Sequence, residues 1–424
     1  MFSGAYTTAV ALAALAVHSV DAIPKISATG AKFFTDDGNQ FYIKGVAYQL
    51  TSDDPLIDTT QCTLDAALMK DLGANTIRVY HVDPSQDHSG CMTAFADNGI
   101  YLFVDLDTTS TSITQDKAAW TSTQLSAFEA VLDEFQKYDN TAGVFVGNEV
   151  VTMANGSDAA PYIKAAARDV KAYRDSKKYR KIPVGYSAAD IATLRPNLQN
   201  YLACGSNASE ALDFFSLNAY EWCGSSSFVT SGYSDLVKNA TGYPIPIFLS
   251  ETGCNTNPPR TFADQASIFG PQMDGIWSGA IVYEWIEESN NYGLVSYGAT
   301  VNPQTATAAL DGFPRSGTPT PVSPDFSNLK GQWATLTPSG VASSAYSPTN
   351  TPPPCPASTS GVWNVNAAAA LPTVGQSAGA TTSTPGPSAT PSATKKGSSA
   401  SGGKEVAGMS IGLVSIMLGF VWWL

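Results

Sequence analysis

Between Ile23 and Pro338 the chain alternates apolar runs with amphipathic stretches. The runs are FYIKGVAYQL (41–50), TIRVYHVD (76–83), YLFVDLD (101–107), GVFVGNEV (143–150), IPVGYSAAD (182–190), LDFFSLNAYEW (212–222), IPIFLSETG (245–253) and GAIVYEWIEE (279–288). Each is near-continuous in aliphatic, β-branched or aromatic residues, as a strand covered on both faces should be. Helical patterns lie between them, clearest over Leu64–Leu72, Thr123–Tyr138, Ala160–Ser176 and Phe262–Ile276. Gly73 and Gly99 stand where a helix would end in a left-handed residue. Eight strand–helix units predict an α/β fold, a closed (β/α)8 TIM barrel of roughly 300 residues. The competing topology is an open doubly wound sheet. It usually carries a glycine fingerprint after its first strand, and GVAYQL does not match one.

Polar residues interrupt the pattern where the runs end. They are Tyr80, Asp105 and Asp107, Asn148 and Glu149, Asp190, Tyr220 and Glu221, Glu251, and Tyr283 and Glu284. Any one of them reads equally well as a cap or a core-layer polar group. Seven strand ends breaking the pattern together are harder to explain that way, because a barrel builds its active site at the C-terminal ends of its strands. Tyr, Trp, Asn, Asp and Glu are the residues of a carbohydrate site: aromatic faces stack on sugar rings, and two carboxylates across a glycosidic bond can cleave it. Glu149 ends the fourth run and Glu251 the seventh, so the two face one another across part of the barrel mouth. Glu221, Glu284, Glu287, Glu288, Asp105 and Asp107 are the rival acids.

Composition narrows the chemistry. Lys and Arg number 23 against 36 Asp and Glu, a net charge of −13, so a phosphate backbone is repelled and nucleic acid is not an expected partner. Of three His, His18 lies in an N-terminal leader, which leaves His81 and His88 as little material for a zinc site or a Ser-His-Asp triad. No metal and no cofactor is expected. Six Cys, an even number, suit disulfides in an oxidising compartment, with fifteen connectivities open.

Both termini read as addresses. The apolar run AVALAALAV (9–17), with Val20 and Ala22 before Ile23, predicts a signal peptide over residues 1–22, although MFSGAYTT supplies no Lys or Arg. A buried N-terminal helix is the alternative. The sequons at Asn155, Asn207 and Asn239 suit a secreted chain. Residues 367–404 are rich in Ser, Thr, Pro, Ala and Gly and predict a disordered, O-glycosylated stalk. Small residues then precede the apolar tail within 405–424. That is the layout of a GPI-anchor signal, with Ser398, Ser399, Ala400 or Ser401 as the attachment residue. The rival is a membrane span. Residues 411–424 as a helix reach only ~21 Å against a ~30 Å hydrocarbon core. Starting at Val406 lengthens it towards a span, but no Lys or Arg comes after it as an anchor.

The motifs FYIKGVAYQ, NTIRVY, VGNEV, SLNAYEWC, LSETGC and VYEW, with NNYGLV further on, resemble glycoside hydrolase family 72, the fungal cell-wall β-1,3-glucanosyltransferases. The resemblance runs from about Ile26 to Trp363 and rests on several motifs in order. It implies Glu149 as acid/base, Glu251 as nucleophile and Asn148 as the residue that holds the sugar 2-hydroxyl. It also implies Tyr80, Tyr220 and Tyr283 as cleft contacts and Asp190 with Arg195 as a polar pair on the acceptor side. The loop from Asp105 to Gln115, with Asp105 and Asp107, resembles a substrate-contacting loop, but DLDTTSTSITQ lacks the proline and arginine expected there. The family pattern implies disulfides Cys62–Cys91, Cys204–Cys355 and Cys223–Cys254. The second would extend the catalytic domain over 23–366. Only Cys355 comes after Cys254, so the cysteine-rich carbohydrate module of some members is not expected in this sequence.

Carboxyls ~5–5.5 Å apart would make the mechanism retaining. Glu149 would need a raised pKa, from a neighbouring carboxylate and partial burial. Donor and acceptor are β-1,3-glucan chains, elongated at the outer face of the plasma membrane and in the wall. No residue type separates transfer from hydrolysis, so transfer comes from the resemblance alone. A secreted β-1,3-glucan hydrolase and a non-catalytic glycan-binding wall protein stay as alternatives. Oligomeric state is not legible.

Overall fold

The computed structural model describes residues 22–379, apart from 109, 307, 308 and 310. Eight parallel strands close a barrel in chain order: β1 (Ile43–Ala47), β2 (Thr76–Val79), β3 (Tyr101–Asp105), β4 (Thr141–Asn148), β5 (Val184–Ala189), β6 (Phe214–Asn218), β7 (Ile247–Thr252) and β8 (Trp277–Val282). Each overlaps one of the eight apolar runs. Around them lie α1 (Thr59–Leu72), α2 (Ser89–Asp97), α3 (Ser122–Phe135), α4 (Ala160–Ser176), α5 (Arg195–Ala203), α6 (Tyr233–Ala240), α7 (Asp264–Ile268) and α8 (Asp325–Thr335).

Local chemistry sets the helix ends. Asp58 caps α1 by accepting from the Gln61 N–H at 3.1 Å. Thr121 and Gln124 form a reciprocal capping box at the start of α3. Gly73 and Gly99 take φ of 94° and 74° after α1 and α2, the left-handed conformation their positions suggest. The helix expected over Phe262–Ile276 is cut short: α7 ends at Ile268. Gly270 and Pro271 come next, and proline has no N–H to continue the ladder.

The barrel is filled in layers. Where the strands begin, Phe103, Phe145, Phe214 and Phe248 pack against one another. A three-stranded antiparallel sheet (Ile26–Thr29, Lys32–Thr35, Gln40–Phe41) closes that end, placing Phe33 5.9 Å from both Phe103 and Phe214. Glycine makes room for the rings: a Cβ on Gly185 would lie 2.4 Å from the Phe214 ring. Above this layer sits Arg78 of β2. Its guanidinium carbon lies 4.5 Å from the Phe145 ring centre and 4.4 Å from that of Tyr80.

Outside the barrel, Asp65 of α1 accepts from the hydroxyls of Tyr48 and Tyr297, both at 2.8 Å. His88 lies buried between Asp54 (2.9 Å) and Glu134 (3.2 Å). Disulfides join Cys62 to Cys91, Cys204 to Cys355 and Cys223 to Cys254, the pairs the resemblance implies.

The ordered body continues past residue 366, where composition places the start of the stalk. Trp363 and Val365 are buried, Leu371 packs on the core, and Gln376–Ser377 pairs antiparallel with Ala119–Trp120. Composition misleads here because the segment is held by a few large side chains and by backbone pairing. The leader up to residue 21, the rest of the stalk, the ω region 398–401 and the tail 405–424 lie outside the described residues. No helix among the described residues is long and apolar enough to cross a membrane.

Candidate active site

Both strands that carry the candidate glutamates are irregular just before them. Between Phe145 and Asn148 the β4–β5 register shifts by one residue, and between Leu217 and Asn218 the β6–β7 register shifts so that Asn218 faces Glu251. Such bulges re-aim the side chains beyond them. Glu149 itself has φ 49°, a left-handed conformation that costs a non-glycine residue about 1–3 kcal/mol. Its N–H donates to the Ser187 carbonyl at 2.9 Å, and the next N–H, of Val150, donates to the Tyr186 hydroxyl at 2.8 Å. The turn thereby lifts the Glu149 side chain into solvent at the barrel mouth, whereas Glu251 is buried.

One network joins the two. Asn218 Nδ2 donates to Glu149 Oε1 (2.9 Å) and to Asn148 Oδ1 (3.1 Å). Asn218 Oδ1 accepts from Ser187 (2.9 Å) and Ser250 (2.8 Å), which fixes the amide's orientation. Arg78 Nη2 donates to Asn148 Oδ1 at 3.0 Å, and Arg78 Nη1 reaches Glu251 Oε1 at 3.4 Å. Two donors on its oxygen fix the orientation of the Asn148 amide. Glu251 also accepts from Tyr80 (3.0 Å, Oε1) and Tyr220 (2.7 Å, Oε2). Burial pushes the Glu251 carboxyl up, to about 7, and the Glu149 charge adds to the rise; Arg78 and the two hydroxyls oppose it.

The remaining expected residues divide. Asp105 is buried behind the cleft and spent on Arg78, through Nε–Oδ1 at 3.1 Å and Nη2–Oδ2 at 2.9 Å. It reaches the site through the arginine rather than facing the mouth. Burial, with Asp105 beside it, pushes Asp107 up to about 7. Tyr283 stands edge-on to Tyr220 (6.4 Å) and Tyr292 (5.4 Å), forming an aromatic wall next to Glu251. Asp190 and Arg195 pair with one another where β5 gives way to α5, and among the described residues neither bonds to the glutamates. Of the rival acids, Glu284 is buried and held by Asn290 at 2.8 Å, Glu288 pairs with Arg315, and Glu221 is exposed. Asn155 and Asn207 are exposed and Asn239 is half-buried.

Sequence reasoning misses Arg78, Asn218, Ser187, Ser250 and Tyr292. A signal for Arg78 is present: a lone charge inside the apolar run TIRV has no solvent to reach and must find a buried partner.

A closed barrel with two glutamates at the ends of β4 and β7, tyrosines beside one and asparagines beside the other, defines a glycoside-processing enzyme. The glucanosyltransferase family profile matches residues 15–309, and the chain belongs to that family, glycoside hydrolase family 72. The 1,3-beta-glucanosyltransferase gas2 of Schizosaccharomyces pombe is 43% identical over 80% of this chain and 73% of its own length. The 1,3-beta-glucanosyltransferase gel1 of Aspergillus fumigatus is 44% identical over 84% of this chain and 75% of its own. Among solved structures, Saccharomyces cerevisiae Gas2p in complex with laminaritetraose and laminaripentaose superposes with a TM-score of 0.72. It is 38% identical and covers 81% of this chain and 74% of that one.

Proposed function

We propose that the protein is a retaining 1,3-β-glucanosyltransferase that cleaves a β-1,3-glucan chain internally and joins the new reducing end to the non-reducing end of another. The observation that carries this reading is the Arg78–Asn148–Asn218 network, which holds Glu149 and Glu251 in one cleft.

The residues divide the chemistry between them. Arg78, Tyr80 and Tyr220 all donate to Glu251 and favour its anion, whereas the partner of Glu149 is one neutral amide. In a retaining mechanism those three donors would stabilise the Glu251 anion that attacks, and Glu149 is the carboxyl left to act as the acid. The Glu251 carboxylate attacks the anomeric carbon, the glycosidic C–O bond breaks, and Glu149 gives its proton to the departing oxygen. The Asn148 amide donates to the 2-hydroxyl of the sugar under attack. Glu149, now a carboxylate, takes the proton of an incoming glucan hydroxyl, which displaces Glu251 and restores the β configuration. Tyr220, Tyr283 and Tyr292 give sugar rings an apolar surface beside Glu251. An acceptor held there competes with ~55 M water by proximity. Asp107 belongs to the loop read as substrate-contacting, and Asp190 with Arg195 are read as the acceptor-side pair.

The same reading has the chain exported by residues 1–22, glycosylated at exposed sequons and held at the outer face of the plasma membrane by a GPI anchor in the 398–401 region. Product sizing on defined β-1,3-gluco-oligosaccharides tests the activity. Products longer than the substrate are expected; only shorter ones would make it a hydrolase, and unchanged substrate a binding protein.

A further inference from the structure

Residues 363–379 have no part in the chemistry, yet they touch both loops that lead out of β3 and β4. Near the strap's start the Asn364 N–H donates to Ser157 Oγ at 2.9 Å, within the short 3-10 turn Ala154–Ala159. Glu149 lies only eight residues before Ser157 on that loop. Near its end the Gly375 N–H donates to the Trp120 carbonyl and the Ala378 N–H to the Ala118 carbonyl, both at 2.7 Å. Both residues lie near the end of the β3–α3 loop, which follows Asp105.

Side chains lock the same joint. Arg168 Nη2 donates to the Pro372 carbonyl at 2.8 Å and pairs with Asp169, which accepts from the Trp120 indole at 2.8 Å. The two loops are also bonded to each other. Gln115 Oε1 accepts from the Thr152 N–H (3.0 Å) and the Met153 N–H (3.3 Å). Gly156 leaves space for it: a Cβ there would lie 2.1 Å from Gln115 Oε1. Strap, β3–α3 loop and β4–α4 loop thus form a closed triangle, with Glu149 at the root of one side.

We propose that residues 363–379 are a positioning strap, holding the β3–α3 and β4–α4 loops in the arrangement that seats the glucan chain against Glu149. The effect on catalysis rests on the transferase reading above; the effect on the loops does not. A left-handed Glu149 needs its surroundings to keep it there, and a misplacement of ~1 Å at a reacting group can cost ~100-fold in rate. The catalytic cleft thereby depends on the chain just before the stalk.

The test uses the full chain with two changes made separately. Ala378→Pro removes one strap N–H, and Ala378→Val keeps it as the control. An internal deletion of residues 371–379 removes the pairing segment while leaving Cys355 in place. Hydrogen exchange is followed in residues 110–120 and 150–159, together with KM and kcat on a β-1,3-gluco-oligosaccharide. The expected result is faster exchange in both loops and a KM raised roughly tenfold, with the Val control behaving as the parent and, in Ala378→Pro, the melting temperature little changed. Loops that stay protected, with KM unaltered, in Ala378→Pro would overturn the strap. Should the parent itself lack transferase activity, the exchange measurement alone still decides it.

Discussion

Arg78 holds Glu251 from below: its Nη1 lies 3.4 Å from Glu251 Oε1 while its other nitrogens are taken by Asp105 and Asn148. A fully buried guanidinium of this kind fixes Glu251 and the Asn148 amide beside Glu149 at once. Arg78→Met leaves Asp105 buried without its partner, which should destabilise the fold by about 3–5 kcal/mol. Activity should be lost even at temperatures where the variant stays folded. Arg78→Lys should rescue little, because a single ammonium cannot reproduce the fork. Thermal unfolding and transfer assays on the two variants check this. A Met variant of parental stability would show that Asp105 does not need the pair.

Stability should fall as pH rises from about 5 to 8. Burial holds four carboxyls up: Asp65 to about 6, Asp107 and Glu251 to about 7, and Glu284 to about 8. Across the window between the ordinary carboxyl value of ~4 and these raised values, the folded chain keeps protons that the unfolded chain has lost. Each unit of rising pH then favours unfolding. His88 acts in the same direction: held above its ordinary value by Asp54 and Glu134, it contributes in acid and loses that contribution as pH rises through its folded value. Melting temperature against pH should therefore peak in mild acid, and Glu284→Gln should flatten the decline. A profile rising from pH 5 to 8 would contradict this.

The bond between Cys204 and Cys355 closes a loop with a sequence separation of 151, and its loss should cost up to about 5 kcal/mol through the freedom returned to the unfolded chain. The Cys204→Ser, Cys355→Ser double variant should melt lower but keep the Glu149–Glu251 cleft, since neither cysteine touches it. Calorimetry beside a transfer assay separates the two effects.

If the proposed GPI signal holds, removing residues 405–424 should turn a membrane-held protein into a secreted one, because such a signal requires its apolar tail. A surface protein that resists phosphatidylinositol-specific phospholipase while keeping that tail would favour a membrane span instead.

The barrel is legible because strands buried on both faces write continuous apolar runs, and Glu149 and Glu251 stand out as charges ending two of them. What lies hidden is what folding brings together from separate strands. Nothing local marks Asn218 as the donor to Glu149, or Ser187 and Ser250 as the groups that orient it. The left-handed turn at Glu149 arises from a register shift between β4 and β5, a property of the pair of strands. The strap is hidden for a different reason. AAAALPTVGQS has a linker's composition, and its order comes from backbone pairing with Ala119–Trp120, which composition does not reveal.

The mechanism turns on the division of roles between the two glutamates, and Glu149→Gln with an activated β-glucoside donor probes that division at its root. A leaving group of low pKa needs no acid, so the donor should still load Glu251, and the covalent intermediate should accumulate for want of a base. Azide, which needs no deprotonation, should then restore turnover and give a β-glycosyl azide, while Glu251→Gln should stay inert under every condition. Near-normal transfer on natural glucan by Glu149→Gln, or an α-configured azide product, would contradict the assignment and turn attention to Glu284, the buried carboxyl at the neighbouring strand end.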